Sequence, residues 1–300
     1  MTATPHIYTL TGNLLAERTL EYGDWAPGRT QRAVRESFHT RGKGVNVSNM
    51  LTRLGVPNTA LIFAGGASGA ESEAWLQSRG IHYQAFSTRQ PSRTGTIIWS
   101  TSKPETTFLG PDVTPDDDAV KACAAYLDSR PDGQVLALCG SFPGWNSPGF
   151  DPLRNALLRW MRRGRLAADA YGPPLQWLAQ QPVDLVKINA VEFDAYLTGG
   201  TLPDRLRSVR DRGPVRCWVV TQGADAIWLV DGEGPPQQLL PPLLTEVSPT
   251  GSGDVLFACL LNGFYRQGRT LADAVREAIP FAAANAAHPG VADFALPPGT

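Results

Sequence analysis

Thr250-Gly251-Ser252-Gly253-Asp254 leads into the apolar run Val255-Leu256-Phe257-Ala258-Cys259-Leu260-Leu261. Glycine-rich backbone that runs straight into a helix presents unpaired N–H groups at the positive end of the helix dipole. Such a start holds phosphate oxygens, or the negative charge that develops on a group in transfer. Gly251, Ser252 and Gly253 would supply those amides. Asp254, at the same start, can accept the proton of an attacking hydroxyl. The pentapeptide also fits a plain Asp N-cap after a turn.

A second candidate is Arg41-Gly42-Lys43-Gly44-Val45-Asn46, entering a helix that ends near Leu54-Gly55. Gly42 and Gly44 let backbone approach a polar ligand while Lys43 supplies charge. It is not a P-loop, because Gly44 stands where Ser or Thr belongs, and Val47 spoils the dinucleotide fingerprint. A glycine-rich loop with a solvated lysine is the competing reading. The third candidate is Lys187-Ile188-Asn189-Ala190-Val191-Glu192, a strand giving way to a helix. Asn189 and Glu192, three apart, can share one side of the first turn and hold a hydrated Mg²⁺. The same spacing suits a capping box.

Elements must position these groups. Short aliphatic runs (Ile7–Thr11, Ala60–Ala64, Val135–Cys139, Leu185–Ile188, Trp218–Thr221, Ala226–Val230) alternate with amphipathic stretches at Val45–Leu54, Ser72–Arg79, Pro115–Leu127, Pro152–Arg162, Val191–Leu197 and Pro203–Arg210. That alternation predicts an α/β fold, a mostly parallel central sheet with helices on both faces. Ligands of such sheets bind beyond the carboxyl ends of the strands. Residues 29–38 and 94–108 have β-like alternation with no helix between, Ser102-Lys103-Pro104 reading as a hairpin tip. They predict a small β-sheet lid on a single domain spanning 1–300. Trp99 and Trp145 suit stacking on a ligand or packing in the core.

Composition narrows the classes. Lys+Arg number 27 against 28 Asp+Glu, a net charge of −1, which offers no electrostatic case for nucleic acid or an anionic membrane surface. The 4 cysteines form no C-x-x-C pair and are expected to be reduced core residues. The 4 histidines do not cluster with Asp or Cys as metal ligands do. No apolar run reaches the roughly 18 residues of a membrane span. The amino terminus has no basic start before an apolar stretch. A cytoplasmic location is expected.

Taken together in this order and spacing, these motifs, with Thr221-Gln222-Gly223-Ala224-Asp225 and Ala282-Ala283-Ala284-Asn285-Ala286, resemble the ribokinase-like (PfkB) sugar kinases along nearly the whole chain. Thr9–Leu54 and Val247–Gly263 look most like the branch acting on phosphorylated ketohexoses, 1-phosphofructokinase and tagatose-6-phosphate kinase. The resemblance implies ATP and Mg²⁺ as cofactors and a sugar or sugar phosphate as acceptor. It implies Asp254 as catalytic base and the Gly251–Gly253 amides as anion hole. Gly42, Lys43, Gly44 and Asn46 fall in its substrate loop, Arg93 at a sugar-phosphate contact, and Asp169 along the cleft. Lys187, Thr221, Gly223 and Asn285 fall around the nucleotide, and Asn189 and Glu192 near the metal, through water. A homodimer through the lid is a further expectation. Three positions depart from the pattern: Glu17 stands for the sugar-binding Asp, Arg41 for the first glycine of the substrate loop, and Leu14 for a proline. They imply a reshaped sugar pocket or a substrate of different charge. A kinase for an unphosphorylated sugar or nucleoside, or a non-catalytic binder, are the alternatives.

Overall fold

A computed structural model describes residues 4–103 and 105–297. Its strands are β1 (Ile7–Thr11), β2 (Leu15–Tyr22), β3 (Arg35–Arg41), β4 (Asn58–Ala64), β5 (Tyr83–Ser87), β6 (Arg93–Ser100) and β7 (Thr106–Leu109). There follow β8 (Val135–Gly140), β9 (Arg165–Ala170), β10 (Leu185–Asn189), β11 (Cys217–Thr221), β12 (Ile227–Asp231) and β13 (Gln237–Leu239). The helices are α1 (Lys43–Arg53), α2 (Gly66–Ser78), α3 (Asp117–Asp128), α4 (Asp151–Met161) and α5 (Pro173–Leu178). The rest are α6 (Ala190–Tyr196), α7 (Leu202–Ser208), α8 (Ser252–Leu261) and α9 (Leu271–Ala286).

A 9-stranded sheet runs β13-β12-β11-β10-β9-β8-β1-β4-β5, parallel from β11 to β5, with β12 antiparallel to both neighbours. Strand periodicity explains why helices cover both faces. In β8, Leu136 and Leu138 join the layer under α3 and α4, where Leu153, Leu157 and Trp160 pack. Val135, Ala137 and Cys139 point the other way, toward α1, α8 and α9. A strand buried on both faces reads as a continuous apolar run, and β8 is buried at every residue. All 4 cysteines are buried and unpaired, and Trp145 packs against Phe142 and Phe150 in the core.

The lid is a separate 4-stranded sheet, β3-β2-β6-β7. The lid segment expected at 94–108 is β6 and β7; Pro104 of its tip lies outside the described residues. The segment expected at 29–38 needs correction. The strand runs Arg35–Arg41, and its partner is β2, a segment to which the sequence reading assigned no element. Leu15–Tyr22 follows β1 after only Gly12-Asn13-Leu14, so the chain leaves the main sheet and enters the lid almost without a turn.

The first turn of α1 lies hard against β1. Thr9 Oγ1 donates to the Gly44 carbonyl (2.9 Å) and meets Ser48 Oγ at 2.8 Å. A Cβ on Gly44 would fall 2.4 Å from Thr11 Oγ1 and 3.2 Å from the Leu10 carbonyl carbon. Helix propensity alone favours Ala over Gly by roughly 1 kcal/mol. Overpacking a close contact typically costs about 1–3 kcal/mol. Gly44→Ala is therefore expected to lower stability in urea unfolding; a stabilised variant would mean that α1 moves off β1 freely.

Candidate active site

β1 is flanked by β4 on one side and β8 on the other, so the strand order reverses beside it. Crevices open at the carboxyl ends of strands at such a point. Gly12-Asn13 leaves β1 there, Ser141 follows β8, Tyr171 follows β9, and Asn189 and Thr221 end β10 and β11. The first turns of α1 and α8 close over the same end of the sheet.

The centre of the crevice is a charge cluster. Asp169, fully buried in β9, accepts from Lys43 Nζ through Oδ1 (2.6 Å) and from Lys187 Nζ through Oδ2 (2.7 Å). Burial alone would raise its pKa, but the two lysines outweigh that and hold Asp169 ionised, below the ordinary carboxylate value. Lys43 also donates to Glu192 Oε1 (2.7 Å) and rides over the Tyr171 ring at 5.1 Å. Desolvation would strip its proton, yet Asp169, Glu192 and Asp254 together raise its pKa above the ordinary lysine value.

Asp254 is set differently. It is buried in the first turn of α8, and Asn46 Nδ2 donates to its Oδ2 at 2.7 Å. Desolvation first, and the Asp169 charge second, push its pKa up to about 6, against the opposing pull of Lys43, Lys187 and Asn46. Gly251 caps α8 with φ 77°, and a Cβ there would strike Val291 Cγ1 at 2.3 Å, so glycine is required on both counts. Ser252 N–H bonds to Pro249 O and Val255 N–H to Gly251 O. The intervening amides of Gly253 and Asp254 are the orphan donors that every helix start leaves. Lys187 Nζ lies beside them, 2.7 Å from where a Gly253 Cβ would be.

A cleft of about 370 Å³ opens from this helix start, lined by Lys43, Lys187, Asn189, Thr221, Gly223 and Asp254 at its polar end. Ala282, Ala283 and Ala286 of α9 give it a flat apolar wall, and Pro241, Pro242 and Leu244 face them. Sequence reading missed that proline segment, although Leu240-Pro241-Pro242-Leu243-Leu244 carries an apolar signal outside any helix or strand pattern. Asn285, expected around the nucleotide, needs correction. It is fully buried behind the loop, donating to Thr250 O (2.9 Å) and Ser252 Oγ (3.0 Å) while Oδ1 accepts from Ala292 N–H (2.8 Å). Its amide is used up in shaping the α8 start.

Asn189 and Glu192 form the capping box of α6. Glu192 Oε2 accepts from the Asn189 N–H (3.0 Å), leaving Oε1 for Lys43. Among the described residues no group of three or more His, Cys, Asp or Glu side chains could hold a metal. With Oε2 on its own helix cap and Oε1 on Lys43, Glu192 has both oxygens engaged, so an ion here would meet it through water.

On the lid side, Asn13 Nδ2 donates to Asp112 Oδ1 (2.8 Å) and Ser141 Oγ (3.3 Å). Arg93 Nη1 reaches the same Asp112 oxygen at 3.0 Å. Sequence reading singled out neither Asp112 nor Ser141. Glu17, which stands where the family pattern has a sugar-binding Asp, is buried and bound by Arg41 Nε at 3.1 Å. Gly42, with φ 126°, turns the chain from β3 into α1 and so delivers Lys43 and Asn46 to the two carboxylates.

An anion-accepting helix start, a buried base and a cleft with paired lysines define a nucleotide-dependent phosphotransferase. Residues 12–297 match the pfkB family of carbohydrate kinases, and the chain belongs to that family. It is an ATP-dependent sugar kinase. It is 24% identical over 294 residues to a 1-phosphofructokinase of Borreliella burgdorferi, covering 96% of this chain and 94% of that one. Over 137 residues it is 32% identical to a D-tagatose-1-phosphate kinase of Bacillus licheniformis, covering 46% and 44% of the two chains. The crystal structure of phosphofructokinase-2 from Escherichia coli in complex with potassium superposes with a TM-score of 0.86 at 22% identity, over 96% of this chain and 94% of that one. The main sheet, its helices and the lid are thus the ribokinase-like architecture that the motifs imply.

The raised pKa of Asp254 has a stability consequence with a definite sign. Folded Asp254 binds its proton more tightly than the unfolded chain does, so the folded state gains protons between pH ~4 and ~6. This group's contribution to stability is full below pH ~4 and falls away as pH rises through about 6. Asp254→Asn keeps an oxygen for Asn46 and removes the buried charge. It is expected to raise Tm at pH 7.5, by an amount equivalent to about 1–3 kcal/mol, and to lose that advantage near pH 4. Equal Tm at both pH values would show that Asp254 is not held up by burial.

Proposed function

We propose that this kinase transfers the γ-phosphoryl group of ATP to a hydroxyl of a ketohexose phosphate, in the manner of a phosphofructokinase. The observation that carries the reading is Asp254, buried beside open α8 amides and bound by Asn46 from the substrate loop. ATP lies in the cleft with its base against the alanines of α9 and its phosphates toward Lys187 and the Gly253 amide. The acceptor lies between α1 and the lid, where Asn13 Oδ1 is buried without a partner among the described residues. Ionised Asp254 takes the hydroxyl proton as the oxygen attacks, and the α8 amides with Lys43 and Lys187 stabilise the charge on the moving group. Mg²⁺, carried in on the nucleotide phosphates, would meet Asn189 and Glu192 through its water shell and supply neutralisation of the phosphate charge. The lid excludes water from the transfer. Val34, Phe108 and Leu109, all exposed on the lid, support a homodimer through that sheet.

Asp254→Asn is expected to bind ATP with little change and to lower kcat by ~10²–10⁴. In the wild type, kcat/KM should fall about tenfold per pH unit below about 6, as Asp254 is protonated. Turnover of the variant within a few-fold of wild type would remove Asp254 from the mechanism.

Arg93 decides whether the acceptor is phosphorylated. A charge-assisted hydrogen bond contributes ~1.5–3 kcal/mol, so Arg93→Ala should cut kcat/KM for a ketohexose phosphate by roughly tenfold or more and hardly alter KM for ATP. A coupled ADP-release assay with the phosphorylated and free sugars reads both. Preference of the wild type for the free sugar would replace the phosphofructokinase assignment with a general sugar kinase.

A further inference from the structure

Leu15 of β2 pairs with Arg41 of β3 on one side and with Arg93 of β6 on the other. Residues directly opposite across a sheet share a face. Arg41 and Arg93 therefore stand in one row at the base of the lid, roughly 10 Å apart at Cα, or two strand spacings. Both side chains are largely withdrawn from water, 11% and 15% exposed.

Each guanidinium uses one N–H on a carboxylate, Arg41 Nε on Glu17 and Arg93 Nη1 on Asp112. The remaining donors are open. Arg93 Nε is buried with no partner, and no described residue accepts from the terminal nitrogens of Arg41. A donor removed from water and left unmade, as Arg93 Nε is, destabilises the chain unless a ligand takes it up; the terminal nitrogens of Arg41 are not so enclosed and stay free to meet one. Asp112, which holds Arg93, also accepts from Asn13 at the carboxyl end of β1, so the row borders the acceptor side of the crevice.

We propose that Arg41 adds a second guanidinium to the phosphate contact already proposed for Arg93, the two forming a clamp on the phosphate of the acceptor, with Glu17 as the positioning carboxylate that presents the terminal nitrogens of Arg41. The clamp rests on the sugar-phosphate reading above. Guanidinium forks match phosphate oxygens two at a time, and side chains as long as arginine can reach one phosphate monoester from the two strands that flank β2. Glu17 and Arg41 depart from the family pattern together because each is the other's partner. A lone Glu17 would be an unpaired buried carboxylate, and a lone Arg41 would lack the contact that orients it.

The test is equilibrium binding of a ketohexose monophosphate and of the free ketohexose, by calorimetry without nucleotide. Arg41→Ala is expected to weaken the phosphorylated ligand at least about tenfold relative to the free one, and Arg41→Lys to restore only part of that ratio. Glu17→Gln should fall between wild type and Arg41→Ala. An unchanged ratio in Arg41→Ala overturns the clamp and makes the pair a structural tie of the lid. Should Arg41→Ala fail to fold because Glu17 is stranded, the double variant Glu17→Leu with Arg41→Met removes both charges and is read in the same way. If the wild type phosphorylates no ketohexose phosphate, the functional reading fails separately. The clamp then stands or falls on inorganic phosphate titrated with ADP saturating the nucleotide cleft. Tighter binding by wild type than by Arg41→Ala, by about tenfold, upholds it; equal binding sinks it.

Discussion

A carboxylate at the end of an apolar strand, with no solvent exposure, survives only if cations are brought to it. Asp169 is that carboxylate, and it decides where two otherwise unrelated parts of the chain must lie. Lys43 comes from the first turn of α1, on the acceptor side, and Lys187 from β10, on the nucleotide side. Each lysine takes one oxygen of the same carboxylate. Losing either would leave a buried charge half-compensated, so α1, β9 and β10 are tied by more than their apolar contacts. The catalytic crevice is the space that this tie keeps at a fixed width.

The same lysines divide the labour of two acids. Asp169 takes both cations in direct contact and is held ionised. Asp254 receives them only at longer range, has a single hydrogen bond from Asn46, and feels the negative charge of Asp169. Its proton affinity rises as that of Asp169 falls. Two carboxylates pushed apart in this way suit a fixed anion and a titrating group, the division on which the proposed proton transfer rests. Had the lysines paired with Asp254 instead, the carboxylate would hold its negative charge too firmly to take a proton from an alcohol.

Much of this was legible in sequence where the signal is local. Val135–Cys139 announces a doubly buried strand, and the glycine–aspartate motif announces the start of α8. The Asn189–Glu192 spacing was legible too, but as two competing readings. The structure gives Glu192 one oxygen for the capping box and the other for Lys43, so one carboxylate does both jobs. What sequence hid was non-local. β9, Arg165–Ala170, received no element from sequence, since Asp169 interrupts a small-residue run, and its partner Lys43 is 126 residues away. Asn285 was placed around the nucleotide by the family resemblance; only the fold shows that its amide faces inward, onto Thr250 and Ser252.

The lid is not tethered to the site by a linker. β3 ends at Arg41, Gly42 makes one turn in a backbone region closed to other residues, and α1 begins at Lys43. On the other strand, β1 passes into β2 through Gly12, Asn13 and Leu14. Lys43 and Asn46 are three apart on α1 and hold Asp169 and Asp254, so the helix start is pinned at two points in the main domain. The chain crosses between lid and main domain four times, at 12–14, 42, 88–92 and 110–116, and the first two crossings lie beside the crevice. The Glu17–Arg41 pair spans the same two strands just beyond those crossings and binds them into one unit. The lid residues beside the crevice are thereby tied to Lys43 and Asn46, and through them to the two buried carboxylates.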